Sequence, residues 1–308
     1  MLTKVHFDDT DDPIDICLDN VFKAVFTKDT PESQGALSRL LSALIGRELT
    51  VTGITANEPP IDNIRDRQIR FDINCRVDDG QLVNVEMSLN PDPFEPVRLE
   101  FHIGKLFIGQ DIRGQDEMGN EKTYNDLKQA YQIAVLVREC FFADEVFFHT
   151  FEYYDPEHQT PLDGRTRIIT LELSKLEKVL AKPIGEMTAP EHWAVFFRYL
   201  TDKSKRRTIN EILEREEGIA MAGEVLMGIS KDEAERARLA SEFKYQMDTQ
   251  SKMGYARREG RKEGREEGRK EGRVEGLREA ARKLKAFGVP IAQIAQGTGL
   301  TEAEVEKL

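Results

Sequence analysis

Cysteine is scarce in this chain, whose 308 residues include only Cys17, Cys75 and Cys140. Three cysteines without a CxxC pair make no disulfide framework and indicate a reducing compartment. No apolar run approaches the roughly 20 residues that a membrane-spanning helix needs. The acidic opening MLTKVHFDDTDD lacks the basic and then apolar order of a signal peptide. The sequence therefore predicts a cytoplasmic protein with no membrane partner.

Two kinds of motif are also missing. The five histidines are scattered without HxH or HExxH spacing, which argues against a zinc site. No glycine-rich phosphate loop follows a predicted strand, which argues against an enzyme driven by nucleotide hydrolysis.

Charge is abundant and unevenly distributed. Charged residues make up 32% of the chain and hydrophobic residues 39%, and 44 Lys and Arg against 56 Asp and Glu give a net charge of -12. Residues 1–250 carry -16 and residues 251–308 carry +4. Bulk attraction to nucleic acid is therefore excluded, and any such contact must be local. The basic end is expected to be a separate unit.

Hydrophobic periodicity predicts an α+β body with a mixed sheet flanked by helices. Helical spacing covers Val21 to Phe26, with Asp19 as a plausible N-cap, and Leu37 to Ile45, which stops at Gly46. The remaining predicted elements are strands over 49–55, 68–77, 81–89, 131–137, 146–154 and 166–173, a helix over 97–109, and mostly helix from 173 to 250.

The strands over 68–77 and 81–89 form a predicted hairpin whose register follows from parity. Both strands alternate apolar and polar residues, and Asp78-Asp79-Gly80 between them suits a three-residue loop with glycine in the left-handed conformation. A two-residue turn would pair polar faces with apolar ones. The three-residue loop places Asp72 opposite Glu86, and Arg70 opposite Ser88.

Two facing carboxylates invite a divalent cation. Directly opposed residues have Cβ atoms about 5 Å apart, where like charges repel. Hard oxygen ligands favour Mg²⁺ or Mn²⁺. The alternative is an exposed hairpin whose acids pair with Arg70 and Arg76, and the spacing alone favours neither.

The stretch IRFDINCRVDDGQLVNVEMS, with its D-x(13)-E-x-S pattern, resembles the core of the PD-(D/E)XK nucleases, and within them the PD-(D/E)XK family transposases or recombination-promoting nucleases. LDNVFKAVF is similar to that family's opening helix, VRLEFHIGKLF to the helix after the acidic strand, and YNDLKQAYQIAVL and TRIITLELSKL to its further strands. The resemblance covers most of residues 15–180 and implies a restriction-endonuclease-like core.

The resemblance also implies a site. Asp72 and Glu86 would bind the metal, Met87 would add its backbone carbonyl, and Asp19 would be a further ligand. Ser88 departs from the family's Gln and the superfamily's Lys, and serine is too short to reach an attacking water. Lys105 or Arg70 would have to substitute, or the copy is catalytically weak or dead.

The basic end opens with the repeat EGRK-EGRE-EGRK-EGRV-EGLR-EAAR from Glu259. Its glycines each cost up to about 1 kcal/mol in a helix, so a flexible linker is the alternative to a long helix that self-associates. The final residues predict a helix–turn–helix with a capping box at Thr301 and Glu304. The predicted domains are 1–200 (nuclease-like), 201–254 (helical connector), 255–287 (repeat helix) and 288–308 (helix–turn–helix tail).

The function hypothesis is a metal-dependent DNA endonuclease that acts in recombination or on mobile elements, with DNA and further copies of itself as partners. The alternative is a non-catalytic adaptor that keeps the fold and associates through its tail. Ser88 favours the adaptor, and the intact pair of Asp72 and Glu86 favours the enzyme.

Overall fold

The structure, a computed structural model, describes residues 5–55, 72–91, 94–110, 112–115, 119–232, 236, 238–239, 261–262, 265, 268–269 and 272–308. These residues fall in two compact units, Met1–Glu242 and Phe243–Leu308. None of the described helices is long and apolar enough to span a membrane.

The first unit is built on a six-stranded mixed sheet with the strand order β1-β2-β3-β4-β8-β5. Strands β1, β2 and β3 are antiparallel, β3, β4 and β8 are parallel, and β5 is antiparallel to β8. A separate two-stranded ribbon joins β6 and β7. The strands are β1 (Val51–Ile54), β2 (Ile73–Val77), β3 (Leu82–Ser88), β4 (Ala130–Leu136), β5 (Phe148–Phe151), β6 (Tyr154–Asp155), β7 (Thr160–Pro161) and β8 (Thr166–Glu172).

Helices cover both faces of this sheet, so the predicted α+β architecture is confirmed. The helices of the first unit are α1 (Asp19–Thr27), α2 (Pro31–Ile45), α3 (Glu95–Ile108), α4 (Glu177–Leu180), α5 (Ala189–Tyr199), α6 (Arg206–Arg215) and α7 (Glu217–Lys231). The central strand β4 is buried along its whole length. A strand covered on both faces has to be apolar nearly throughout, which explains its sequence AYQIAVL.

The two faces of the sheet are packed differently. One face joins α1, α2, α5, α6 and α7 in a large core that holds an aromatic cluster around Trp193. The other face is covered by α3, where Ile103 and Leu106 pack on Leu82 and Ala130. The polar residues Asn84 and Glu86 of β3 therefore lie under a helix rather than in solvent, whereas Arg76 of β2 is exposed.

Two helix ends test the predicted caps. Gly46 ends α2 with a left-handed φ of 81°, as expected. Asp19 is not the N-cap of α1: Leu18 occupies that position without a side-chain cap, and Asp19 is the first helical residue. The Asp19 carboxylate instead binds Lys23 one turn later.

The described part of the predicted connector, α6 and α7, packs into the core of the first unit.

The second unit contains α8 (residues 272–286), α9 (Ile291–Thr298) and α10 (Glu302–Glu306). Ala281, Ile294 and Val305 form a small core between these helices. The predicted turn and capping box are confirmed, because Gly299 is left-handed and the Thr301 and Glu304 side chains cap α10. Residues 255–260, 263–264, 266–267 and 270–271 lie outside the described residues, so the full length of the repeat helix stays a prediction.

Candidate active site

The predicted hairpin register is confirmed. Ile73 pairs with Val85 and Cys75 with Val83, and the loop Asp78–Gly80 has three residues with Gly80 left-handed at φ 74°. Continuing this pairing by one residue sets Asp72 opposite Glu86. The Asp72 Oδ2 atom accepts a hydrogen bond of 2.9 Å from the backbone N–H of Met87, which fixes its carboxylate beside β3.

Asp72 lies in a largely buried cluster of charges. The Lys23 Nζ atom is 3.1 Å from Asp72 Oδ1 and 3.0 Å from Asp19 Oδ1. The pKa of Asp72 is raised to about 7, chiefly by burial and also by the Asp19 and Glu86 carboxylates, while Lys23 and the Met87 N–H lower it. Burial by itself lowers the pKa of Lys23, but its two carboxylate partners outweigh burial and raise it. Lys23 thus acts as the counter-ion of Asp72.

Glu86 is more deeply buried, with 3% of its side chain exposed. Its Oε1 atom accepts a 3.2 Å hydrogen bond from Asn84 and pairs with Nδ1 of His102. Its Oε2 atom lies 3.3 Å from the Arg98 guanidinium. Asn84 also donates to Gln132 on the parallel neighbour β4, at 2.8 Å. A charge this deep is stable only when paired and hydrogen-bonded, so the exposed-hairpin alternative is wrong for Glu86.

Helix α3 supplies two of these partners. Glu95, Arg98 and His102 share one face of the helix, and this face points at the sheet. Burial lowers the pKa of Arg98, but the Glu86 and Glu95 carboxylates outweigh it and raise that pKa. Arg98 therefore links the carboxylates of β3 and α3.

The other predicted site residues are placed as follows. Ser88 follows Glu86 on the same face of β3, half-buried at the end of the strand. Met87 turns its side chain into the main core. Lys105 lies one turn beyond His102, next to Leu106 over the start of β3, at the end of the strand away from Ser88. Arg70 lies outside the described residues.

Sequence reasoning missed Lys23, Arg98 and His102. A usable signal was present for each. Lys23 follows Asp19 by four residues, and Arg98 and His102 are also four apart on a predicted helix, so each pair shares a helix face. Only the tertiary structure shows that both faces point at the hairpin.

The capacity of the cluster for a cation rests on two buried oxygens. Asp19 Oδ1 and Glu86 Oε2 are buried without a hydrogen-bond donor, and each faces a cationic side chain at 3.0–3.3 Å. These hard donors suit Mg²⁺ or Mn²⁺. Within the described ranges, no group of three or more His, Cys, Asp or Glu side chains is arranged to hold a metal. The ammonium of Lys23 takes the place of a cation between Asp19 and Asp72.

The family model described as PD-(D/E)XK nuclease family transposase matches residues 16–256. The chain belongs to this family. The resemblance carried by the hairpin motif is thereby confirmed, and the matched range extends past α7. The sheet and its flanking helices are consistent with the restriction-endonuclease-like fold expected of a PD-(D/E)XK nuclease. Comparison with curated proteins and with solved structures gave no match.

Proposed function

We propose that this PD-(D/E)XK nuclease family transposase is a metal-dependent DNA endonuclease that hydrolyses phosphodiester bonds in recombination or on mobile elements. The observation that carries the proposal is the register that sets Asp72 opposite Glu86, with the Asp72 carboxylate held by the Met87 amide. The proposal is supported by the electrostatic interaction between Asp72, directly before β2, and Glu86 on β3.

Asp72 and Glu86, with the Met87 carbonyl and Asp19 as further donors, would hold Mg²⁺ or Mn²⁺. Such an ion polarises the scissile phosphate and lowers the pKa of an attacking water. The chain's own residues orient these donors. His102 and Asn84 hold Oε1 of Glu86, and Lys23 favours the ionised form of Asp72.

Lys23 is also relevant to position 88, where this chain has Ser88 in place of the residue of the family pattern. Ser88 carries no charge, whereas the superfamily pattern has Lys there. The Lys23 ammonium beside Asp72 supplies a cation at the site from α1 instead of β3. We infer that Lys23, rather than Lys105, compensates for Ser88 by contacting the phosphate or the attacking water.

The adaptor alternative has its own support. Lys23 and Arg98 already neutralise the buried carboxylates, which is the arrangement expected of a fold retained without metal. On this alternative the protein binds DNA or protein partners without cleaving them.

Nicking of supercoiled plasmid separates the two functions. We expect cleavage with Mg²⁺ or Mn²⁺, none with EDTA, and loss of cleavage in Glu86→Gln, which keeps the shape of the side chain. Glu48→Gln, at an exposed residue of the same unit, is the matched control and should cleave like the wild type. Folded wild-type protein that leaves the plasmid intact with both metals would favour the adaptor.

A further inference from the structure

Helix α3 exposes a row of large apolar side chains on the side that faces away from the sheet. Phe94 at its N-cap is 60% exposed, and Val97, Phe101 and Ile108 are 62%, 54% and 71% exposed. We call these four residues the outer stripe. Single exposed apolar residues are ordinary on protein surfaces, but a contiguous row marks an interaction site.

The spacing of the outer stripe is that of a coiled-coil seam. Phe94, Val97, Phe101 and Ile108 fall on the a and d positions of consecutive heptads, and Gly104 occupies the d position between the last two. Apart from its own stretch of helix, no atom of the described residues lies within 4 Å of where a Cβ of Gly104 would stand. The buried residues of α3 all fall on b, c and f positions, among them His102 and Leu106. The outer side of α3 therefore offers the exposed apolar residues of a seam to a partner helix.

The charges beside the seam identify the partner. Glu100 occupies a g position and Lys105 the e position five residues later. In two parallel helices, g and e side chains of opposite chains meet across the seam and form interhelical salt bridges. Two copies of α3 would therefore form two reciprocal pairs between Glu100 and Lys105. An antiparallel pair would instead set Lys105 beside Arg98 and Lys105 of the other copy.

We propose that the outer stripe is a self-association surface, on which α3 of a second copy of this chain packs in parallel about a twofold axis. Such an interface is isologous, because each copy offers the same patch. A helix of 14 residues is roughly 21 Å long, so the contact is small and the dimer weak and concentration-dependent.

This association bears on the candidate active site without depending on its chemistry. The inward side of α3 carries Arg98 and His102, which hold Glu86. The same helix would thus join two copies on its outer side and support one carboxylate of each on its inner side. The proposal is tested by association alone, so its outcome is separate from that of the nicking assay.

Disulfide crosslinking of the full-length protein tests directly which residues of α3 lie next to each other in the two copies. In a Cys140→Ser background, which removes the exposed cysteine and leaves Cys17 and Cys75 buried, Val97→Cys should form an interchain disulfide under mild oxidation. Parallel packing brings position 97 next to itself. Leu162→Cys, at a residue 67% exposed outside α3, is the matched control for random collision and should crosslink far less.

Charge reversal tests the partner assignment. Glu100→Lys and Lys105→Glu, each in the Val97→Cys background, should both lower crosslinking, with dimer affinity weakened roughly tenfold. Mixing the two variants should restore crosslinking through a heterodimer, because each pair between positions 100 and 105 then joins opposite charges. The thermal unfolding temperature should not change, since neither residue is buried.

Three results would overturn the proposal. The first is crosslinking of Val97→Cys no greater than that of Leu162→Cys. The second is crosslinking of Val97→Cys only when it is mixed with Ile108→Cys, which indicates antiparallel packing. The third is failure of the mixed charge variants to associate better than either variant alone.

Discussion

At the scale of the residue, the proposed nuclease function depends on position 88, where serine stands in place of the family's Gln. Ser88 lies on the same sheet face as Glu86, two residues further along β3. The hydroxyl oxygen of Ser88 is bonded directly to Cβ, whereas in glutamine two further carbons extend the side chain before its amide nitrogen and oxygen. Glutamine is also the residue of the family pattern. On the proposed function, we therefore expect the length of this side chain to decide whether β3 itself can orient a water near Glu86.

We expect Ser88→Gln to raise Mg²⁺-dependent plasmid cleavage, because the longer amide can reach an attacking water. Ser88→Thr, which adds a methyl group without adding reach, is the matched control and should leave the rate unchanged. Initial nicking rates at equal protein concentration measure the effect. An active wild type whose cleavage is abolished by Ser88→Gln would contradict this account of position 88.

The raised pKa of Asp72 leads to a second prediction, on how the stability of the folded protein changes with pH. Its pKa of about 7 in the folded protein lies above the ordinary value of 3.8, so the folded state holds this proton more tightly than the unfolded state does. The contribution of Asp72 to stability therefore falls as the pH rises from about 4 to 7 and stays low above that range. The buried carboxylate costs stability at neutral pH.

Replacing Asp72 with Asn removes this cost. We expect Asp72→Asn to raise the free energy of unfolding by ~1–3 kcal/mol at pH 8 and to change it little at pH 4.5, while cleavage is lost. Urea unfolding in EDTA at both pH values measures the difference. Asp29→Asn on the surface is the control. A variant that is less stable at pH 8 would show that the pairing with Lys23 outweighs the burial of Asp72.

At the scale of the element, the contact between α2 and α7 depends on a close approach at one glycine. A Cβ on Gly218 would lie 2.3 Å from Cβ of Arg39 on α2 and 3.3 Å from the Trp193 ring. Neither neighbour is the free end of a flexible chain. Gly228 lies on the same helix and, apart from its own stretch of helix, no atom of the described part of the chain lies within 4 Å of its Cβ position.

These two glycines give a matched pair of substitutions. We expect Gly218→Ala to lower the free energy of unfolding by about 1–3 kcal/mol through overpacking. Gly228→Ala should raise it by up to about 1 kcal/mol through helix propensity. Denaturant unfolding of both variants measures the effects. Equal effects of the two changes would mean that α2 and α7 are not packed as closely as described.

At the scale of the whole molecule, an acidic body is joined to a basic end that forms its own compact unit. In the described part of the repeat, residues 261–262, 265 and 268–269 are helical. Further along, Lys283 pairs with Glu279 one turn earlier. If the whole repeat is helical, its Glu and Arg residues stand in separate rows, and like charges four residues apart repel by a few tenths of a kcal/mol per pair.

We expect the segment 255–287 to be a marginal helix alone and a firmer one when paired. An antiparallel second copy would set the Glu row against the Arg row, and the glycine row would allow close approach. Exposed ion pairs contribute roughly 0–1 kcal/mol each, so association should weaken with salt. Sedimentation and circular dichroism of the isolated segment at low and high salt measure it. A coil-like monomer under both conditions would leave the flexible-linker alternative.

Several features followed from the sequence because they depend on local periodicity. The alternation of apolar and polar residues and the DDG loop determined the register that sets Asp72 opposite Glu86, since a shift of one residue would turn every side chain to the other face. Helical spacing and Gly46 determined where α2 ends. The D-x(13)-E-x-S motif, together with the segments before and after it, indicated the family.

The tertiary structure decided what surrounds those residues. Asp19 matches a cap by residue type, but the backbone starts the helix one residue earlier and frees its carboxylate for Lys23. Helix α3 buries Glu86, and its residues Arg98 and His102 contact the Glu86 carboxylate. These contacts join positions 12 to 16 residues apart across a sheet–helix interface. Periodicity shows which face of a helix is apolar or polar, but only packing determines what that face meets. Electrostatics at this site depends on distances between elements, which no local pattern encodes.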